Sequence, residues 1–187
     1  VDKVDVLILC IPAAFLADSL ANIKGEIKNK IIVSAVKGVV PETLQIVGHY
    51  LNESWHVPYD QIAVIAGPSH AEEVGMEKLS YLTIACQDKN RADFIASLLK
   101  TSYVRTKISN DIFGTEYAAM LKNIYAIAAG IAHGLNYGDN FQSVLMSNAI
   151  REMKRYIRNV HKLKRNINNS AYLGDLLVTG YSVFSRN

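Results

Sequence analysis

At 187 residues and 20.7 kDa the chain has room for one large domain or two small ones, and with half of its residues hydrophobic and a fifth charged it can bury a sizeable core. A formal charge of +3 is too mild to imply a nucleic-acid ligand by itself. No apolar run is long enough to span a bilayer, no basic segment precedes a signal-like run, and the cysteines, Cys10 and Cys86, sit in strand-like runs as reduced core residues, so the cytoplasm is the default compartment.

The run "VDVLILC" (4–10), closed by Pro12, predicts a buried strand. Helical spacing over 13–23 is followed by a second strand over 30–36. A helix is expected over 41–53, with Pro41 at its first position. "IAVIA" (62–66) is a third strand, "HAEEVGM" a short helix and "YLTIACQ" (81–87) a fourth strand. A helix over 90–101, capped by Asn90, leads to a last strand over 103–109. Strands alternating with helices predict a parallel, doubly wound sheet. After Asp111 only helical patterns follow, over 111–135 and 140–164, with an Asn- and Ser-rich loop around 166–170. A domain boundary is therefore expected near residue 110, between an α/β part (1–110) and an all-helical part (111–187). The chain opens without Met, almost directly into a strand, and stops at "SVFSRN", so both ends read as cut from something longer.

In an open α/β sheet, ligands sit beyond the carboxyl ends of the strands. Three successive strands end in "CIP" (10–12), "VKGV" (36–39) and "AGPSHAEEV" (66–74), which places these tips on one crevice. Lys37 would project from that edge, either into the crevice or as a solvated turn lysine. "GPSHAEE" joins a glycine, a hydroxyl and a helix start, which suits an anion or the edge of a cofactor and equally suits a capped turn. His70 is the one histidine near the crevice by sequence, and none of the five histidines has metal-ligand spacing.

The helix "EYAAMLKNIYAIAAGIAHG" (116–134) carries a single lysine, Lys122. On a helical wheel it shares a face with Thr115, Ala118, Ala119, Ala126, Ala129 and His133. Ile112, Phe113, Met120, Leu121, Ile124, Ile127 and Ile131 form a broad apolar arc on the other side, which is expected to fix the helix in the core. Small side chains let another body approach the backbone, and a partly desolvated lysine there suits proton transfer. Two other readings remain open: a snorkelling lysine, and an alanine stripe that serves helix packing.

Further on, Gly174 and Asp175 mark a helix start, and Asp175 is placed to pair with a lysine. The tail residues Ser185, Arg186 and Asn187 offer a forked guanidinium with hydroxyl and amide donors, a set suited to phosphate or simply to an exposed loop. A basic stripe, Arg151, Lys154, Arg155, Arg158, Lys162 and Arg165, falls on one helical face. It is interrupted by Glu152 and lacks interleaved aromatics, so it reads as a solvated face rather than a nucleic-acid interface.

Taken in order, "SAVKGV", "AGPSHAEEV", "GTEYAAMLKNIYAIAAGIAHGLNYGDN", the "REM" helix, "LGDLLVT" and "SRN" resemble bacterial NAD(P)-dependent glycerol-3-phosphate dehydrogenases over nearly the whole chain. The resemblance implies part of a Rossmann domain followed by an all-helical substrate domain of the 6-phosphogluconate-dehydrogenase-like type. It implies NAD or NADP as cofactor and dihydroxyacetone phosphate and sn-glycerol 3-phosphate as substrates in glycerophospholipid synthesis. No nucleic-acid partner is implied, and a homodimer is compatible with it. Lys122 matches the family's catalytic lysine. Lys37, Gly67, Ser69, Asp175, Ser185, Arg186 and Asn187 match substrate-contacting positions, with Asn123 and Thr179 in the same constellation. Lys37, Ala71 and Arg186 match cofactor-contacting ones.

The family's G-x-G-x-x-G fingerprint is absent here, and so are the helices that follow "SRN". The expectation is an internal portion of the enzyme. "AYLGDL" also departs from the family's small-residue run, and His70 stands where an aromatic is common. The rival readings are a two-domain dehydrogenase of the 6-phosphogluconate or 3-hydroxyisobutyrate type, and a non-catalytic module that uses the basic face on nucleic acid.

Overall fold

The computed structural model describes residues 1–182. Five strands form the main sheet: β1 (Val6–Leu9), β2 (Ile31–Ser34), β5 (Ile62–Ala66), β6 (Ser80–Cys86) and β7 (Val104–Ser109), in that spatial order. β1, β2 and β5 run parallel, with Val6 opposite Ile31 and Ile32 opposite Ile62. The fold is a Rossmann-like α/β unit followed by helices.

The sheet is nevertheless mixed, not all-parallel. β6 pairs with β5 antiparallel, Ala63 opposite Cys86, and β7 follows β6 parallel. The reason lies in the connections. Between β5 and β6 there are thirteen residues, with only the short helix α3 (Ala71–Gly75), so the chain turns back beside β5 instead of crossing over. Between β6 and β7 the helix α4 (Lys89–Leu99) supplies a full crossover.

The segment 41–53 is not one helix. Val39–Val40 (β3) and Gln45–Ile46 (β4) form a small hairpin, and α2 covers Val47–Trp55. Pro41 opens the turn between them rather than a helix, and Leu44 lies at φ 55 with its amide on the Val40 carbonyl at 2.8 Å. α4 is capped by Asp88, whose carboxylate accepts from the amides of Asn90 and Arg91, so Asn90 lies inside the helix. β1 is an edge strand: Ile8 and Cys10 are exposed, against the expectation of a buried strand with a core thiol, whereas Cys86 is buried.

The sheet is covered on both faces. Ile32 and Ile62 pack with Leu16 and Leu20 of α1 (Leu16–Ala21) and Leu51 of α2, while Val33, Ala63 and Ile84 pack with Ala92 and Ile95 of α4. Among the described residues every strand lies before Asn110. After it come α5 (Ile112–Gly134), α6 (Gly138–Val160), one π-helical turn at 170–174 and α7 (Asp175–Tyr181). Their core joins Ala118 and Ala129 of α5 with Met146, Met153 and Ile157 of α6 and Leu176 of α7. Among the described residues no helix is long and apolar enough to cross a membrane, and no cluster of side chains could hold a metal ion.

Candidate active site

The chain's reversal at β6 and β7 is what builds the site. α5 begins where β7 ends, and Ile112 packs on Val64 of β5 and Ala85 of β6. From there the helix advances about 15 Å in ten residues, which carries Lys122 to the carboxyl tip of β5. α7 starts against the same tip.

Lys122 is 6% exposed and Asp175, the first residue of α7, is 2% exposed. The Lys122 Nζ donates to Asp175 Oδ1 at 2.5 Å. The other carboxylate oxygen, Oδ2, accepts from the Gly67 amide at 3.3 Å, and the Thr179 hydroxyl donates to the Asp175 carbonyl at 2.6 Å. Gly67 sits at φ +124, and a Cβ there would come 2.5 Å from the Tyr81 carbonyl oxygen of β6. Only glycine lets the β5 tip lie this close to β6 with its amide aimed at Asp175.

Burial is the largest influence on Lys122 and pushes its ammonium below the ordinary lysine value. Asp175 opposes that shift and the nearby Lys37 charge adds to it. Lys37 itself is exposed. It follows β2 and precedes Gly38, which turns at φ +137. Ser69 is half-buried and donates to the Gly67 carbonyl at 3.1 Å, and Ala71 is exposed as the first residue of α3. Asn123 is half-buried beside Lys122 on α5. The structure thus gathers Lys122, Asp175, Thr179 and Gly67 into one bonded group, with Ser69 on the Gly67 carbonyl, Asn123 next to Lys122 in α5 and the Lys37 charge close enough to act on the ammonium. Ala71 opens α3 four residues after Gly67. Ser185, Arg186 and Asn187 lie outside the described residues.

A cavity of about 360 Å³ opens between α5, α6 and α7, one turn along from the ion pair. Ala126, Ala129, Gly130, His133, Gln142 and Thr179 are among its walls. The alanine stripe therefore serves two ends: Ala118 and Ala129 pack against α6 and α7, and Ala126 with Ala129 lines the cavity one turn beyond Lys122. The apolar arc behaves otherwise than expected. Ile112 and Leu121 are buried, but Ile124, Ile127 and Ile131 are 55%, 51% and 59% exposed, so along the second half of the helix it is the alanine face that meets the core.

Two buried groups escaped the sequence reading. Asp111 caps α5 through the Gly114 amide at 3.0 Å. It also binds Arg165 through Nε at 2.7 Å and Nη2 at 3.1 Å, and receives the Tyr172 hydroxyl at 2.6 Å. Burial pushes this carboxyl up, but the bonds from Arg165, Tyr172 and Gly114 outweigh it and hold the group below the usual carboxylate range. Arg165 is thus no member of an exposed basic stripe. It locks the loop before α7 onto the start of α5. Arg165→Ala would leave Asp111 buried without its cation and should lower stability by about 3 kcal/mol, measured by denaturant unfolding. The second group is Glu116, whose only sequence signal is an acid on a buried helix. Both its oxygens lie within 3.1 Å of the Gly48 amide of α2.

Two family models cover most of the chain. One, described as the NAD-dependent glycerol-3-phosphate dehydrogenase N-terminus, matches residues 1–92; the other, described as the C-terminus of the same enzyme, matches residues 111–187. A glycerol-3-phosphate dehydrogenase [NAD(P)+] of Fusobacterium nucleatum is 35% identical over 188 residues, covering 100% of this chain and 56% of the relative. One from an Exiguobacterium is 38% identical over 157 residues, 83% of this chain and 46% of the relative. The crystal structure of a glycerol-3-phosphate dehydrogenase from Coxiella burnetii shares the fold with a TM-score of 0.88 at 24% identity, over 99% of this chain and 56% of that one. The chain spans about half the length of the curated relatives it matches.

Proposed function

Because the chain belongs to the NAD-dependent glycerol-3-phosphate dehydrogenase family, we propose that the protein containing it interconverts dihydroxyacetone phosphate and sn-glycerol 3-phosphate with NAD(H) or NADP(H), in the cytoplasm. The observation that carries this reading is the buried Lys122–Asp175 pair, held at the tip of β5 by the Gly67 amide, one helical turn from a cavity that Thr179 helps to line. In this reading residues 1–110 complete the cofactor domain and residues 111–187 begin the substrate domain. The match to both family models favours this substrate over 6-phosphogluconate or 3-hydroxyisobutyrate, and an oxidoreductase over a nucleic-acid module.

The chain's own residues fit the nicotinamide end of the cofactor. The turns after β2 and β5 carry Gly38 and Gly67 at positive φ, and Gly67 brings its amide to Asp175 beside the ammonium. Lys37, Ala71 and Arg186 would contact the cofactor there. The diphosphate-binding glycine fingerprint is not among these 187 residues. When bound, the cofactor supplies the hydride.

Protonated Lys122 hydrogen-bonds the substrate carbonyl oxygen, polarises it, and gives it a proton as the carbon is reduced. In the reverse direction neutral Lys122 takes the hydroxyl proton. Asp175 orients the ammonium and favours its charged form. Thr179, Asn123, Ser69 and Gly67 line the approach. Lys37 closes on the substrate from the sheet side, and Ser185, Arg186 and Asn187 hold its phosphate. In the full-length protein, loss of reduced-nicotinamide absorbance should depend on dihydroxyacetone phosphate. A protein inert with it but active on 6-phosphogluconate would overturn the assignment.

A further inference from the structure

The positive charge of the chain is concentrated in one place. Residues 151–165 hold seven arginines and lysines against one acid, a formal +6, so with the whole chain at +3 the other 172 residues sum to −3. Arg165 is spent on Asp111, but Arg151, Lys154, Arg155, Arg158, Lys162 and Lys164 are all exposed, and none of these six makes an ion pair among the described residues. The one acid, Glu152, faces the Tyr125 phenol. The first four cations recur at steps of three and four along α6, so they share one face within about 10 Å of helix axis. They line a hollow of about 250 Å³, and Arg158 joins it to a second of about 550 Å³ lined by Lys162 and Lys164. Unpaired like charges this close repel one another, and a polyanion relieves that repulsion.

We propose that this face of α6 and the loop after it docks the enzyme on an anionic lipid surface. Two observations favour lipid over nucleic acid. Tyr156, exposed between Arg155 and Arg158, is engaged edge-on with Tyr117, so the face offers cations and little free ring to stack on unpaired bases. Adhesion to anionic headgroups needs only such a polybasic patch. The second observation rests on the dehydrogenase reading. The free hydroxyls of glycerol 3-phosphate make it a substrate for O-acylation, whose products are anionic amphiphiles that reside in a bilayer. Docking would release the product where that class of reaction consumes it.

The test is co-sedimentation of the full-length protein with phosphatidylcholine vesicles, with and without about 30 mol% phosphatidylglycerol, alongside the triple variant R151Q/R155Q/R158Q. Binding is expected only with the anionic lipid, should be lost in about 0.5 M salt, and should weaken on the order of a hundredfold in the variant, about fivefold per cation. Turnover of dihydroxyacetone phosphate by the variant, read separately, should stay normal, so failure of docking and failure of the dehydrogenase reading are distinguishable. Absence of binding to the anionic vesicles, as when the rest of the polypeptide or a second copy covers the face, would overturn the proposal. Binding that the variant leaves unchanged, or tighter binding to a DNA duplex in a competition arm, would overturn it as well.

Discussion

Lys122→Met in the full-length enzyme should lower turnover by about a hundredfold to ten-thousandfold while changing substrate affinity much less, the usual range for removing a general acid–base group. Methionine keeps the volume of the lysine stem, so the packing of α5 against α7 survives. The electrostatics do not. Asp175 keeps the Gly67 amide but loses its ammonium, and a buried carboxylate left so exposed to its own charge should lower stability by about 3 kcal/mol. The double variant Lys122→Met with Asp175→Asn removes that unpaired charge and separates the two effects. It should recover much of the lost stability and none of the lost turnover. Rates in both directions and melting curves for the two variants read this out. A folded Lys122→Met enzyme with near-normal turnover would make the lysine a packing residue and end its catalytic assignment.

Direction of transfer should also follow pH in a defined sense. Burial first, and then the Lys37 charge, lowers the Lys122 ammonium below its ordinary value, against the pull of Asp175. In the proposed mechanism carbonyl reduction uses the protonated lysine and so should fall as pH rises through that depressed value. Alcohol oxidation, which there uses the neutral form, should rise over the same window.

What could be read from the sequence was local or periodic. Alternating strands and helices, the tips of β1, β2 and β5 on one edge, the all-helical second half and the small-residue face around Lys122 all follow from patterns within a few residues. Strand direction does not, because a period-two pattern looks the same in both senses; the antiparallel β6 is settled by the short link after Gly67. Nor does the outward side of α5. Isoleucines at 124, 127 and 131 announce a core face by hydropathy, yet the alanines win the buried side because only they allow α6 and α7 to come close. The partners of Lys122 and Asp111 lie 53 and 54 residues away, and no spacing rule links them.

Glu116 is the extreme case, since its partner is a backbone amide 68 residues distant. It is 3% exposed between α5 and α2, and a Cβ on residue 48 would fall 2.8 Å from its Oε2, so glycine at that position is a condition of the contact. Burial dominates and pushes the carboxyl up to about 8, only partly offset by the Gly48 amide. The unfolded chain releases this proton near the ordinary value of 4.5, whereas the folded protein holds it to about 8. Between those values the native state binds the extra proton, so the Glu116 contribution to stability is complete below pH 4.5 and is lost as pH rises through about 8. At about 1.36 kcal/mol per pH unit the full loss approaches 5 kcal/mol. Glu116→Gln keeps the shape and an oxygen for the Gly48 amide but cannot ionise. Its stability should match the wild type near pH 4.5 and exceed it increasingly up to pH 8, with the difference levelling off beyond. Taking the difference between the two proteins cancels the titration of His49, Asp111 and the other shared groups. Denaturant unfolding of both across that range measures it, and parallel stability curves would show that Glu116 ionises normally in the folded state.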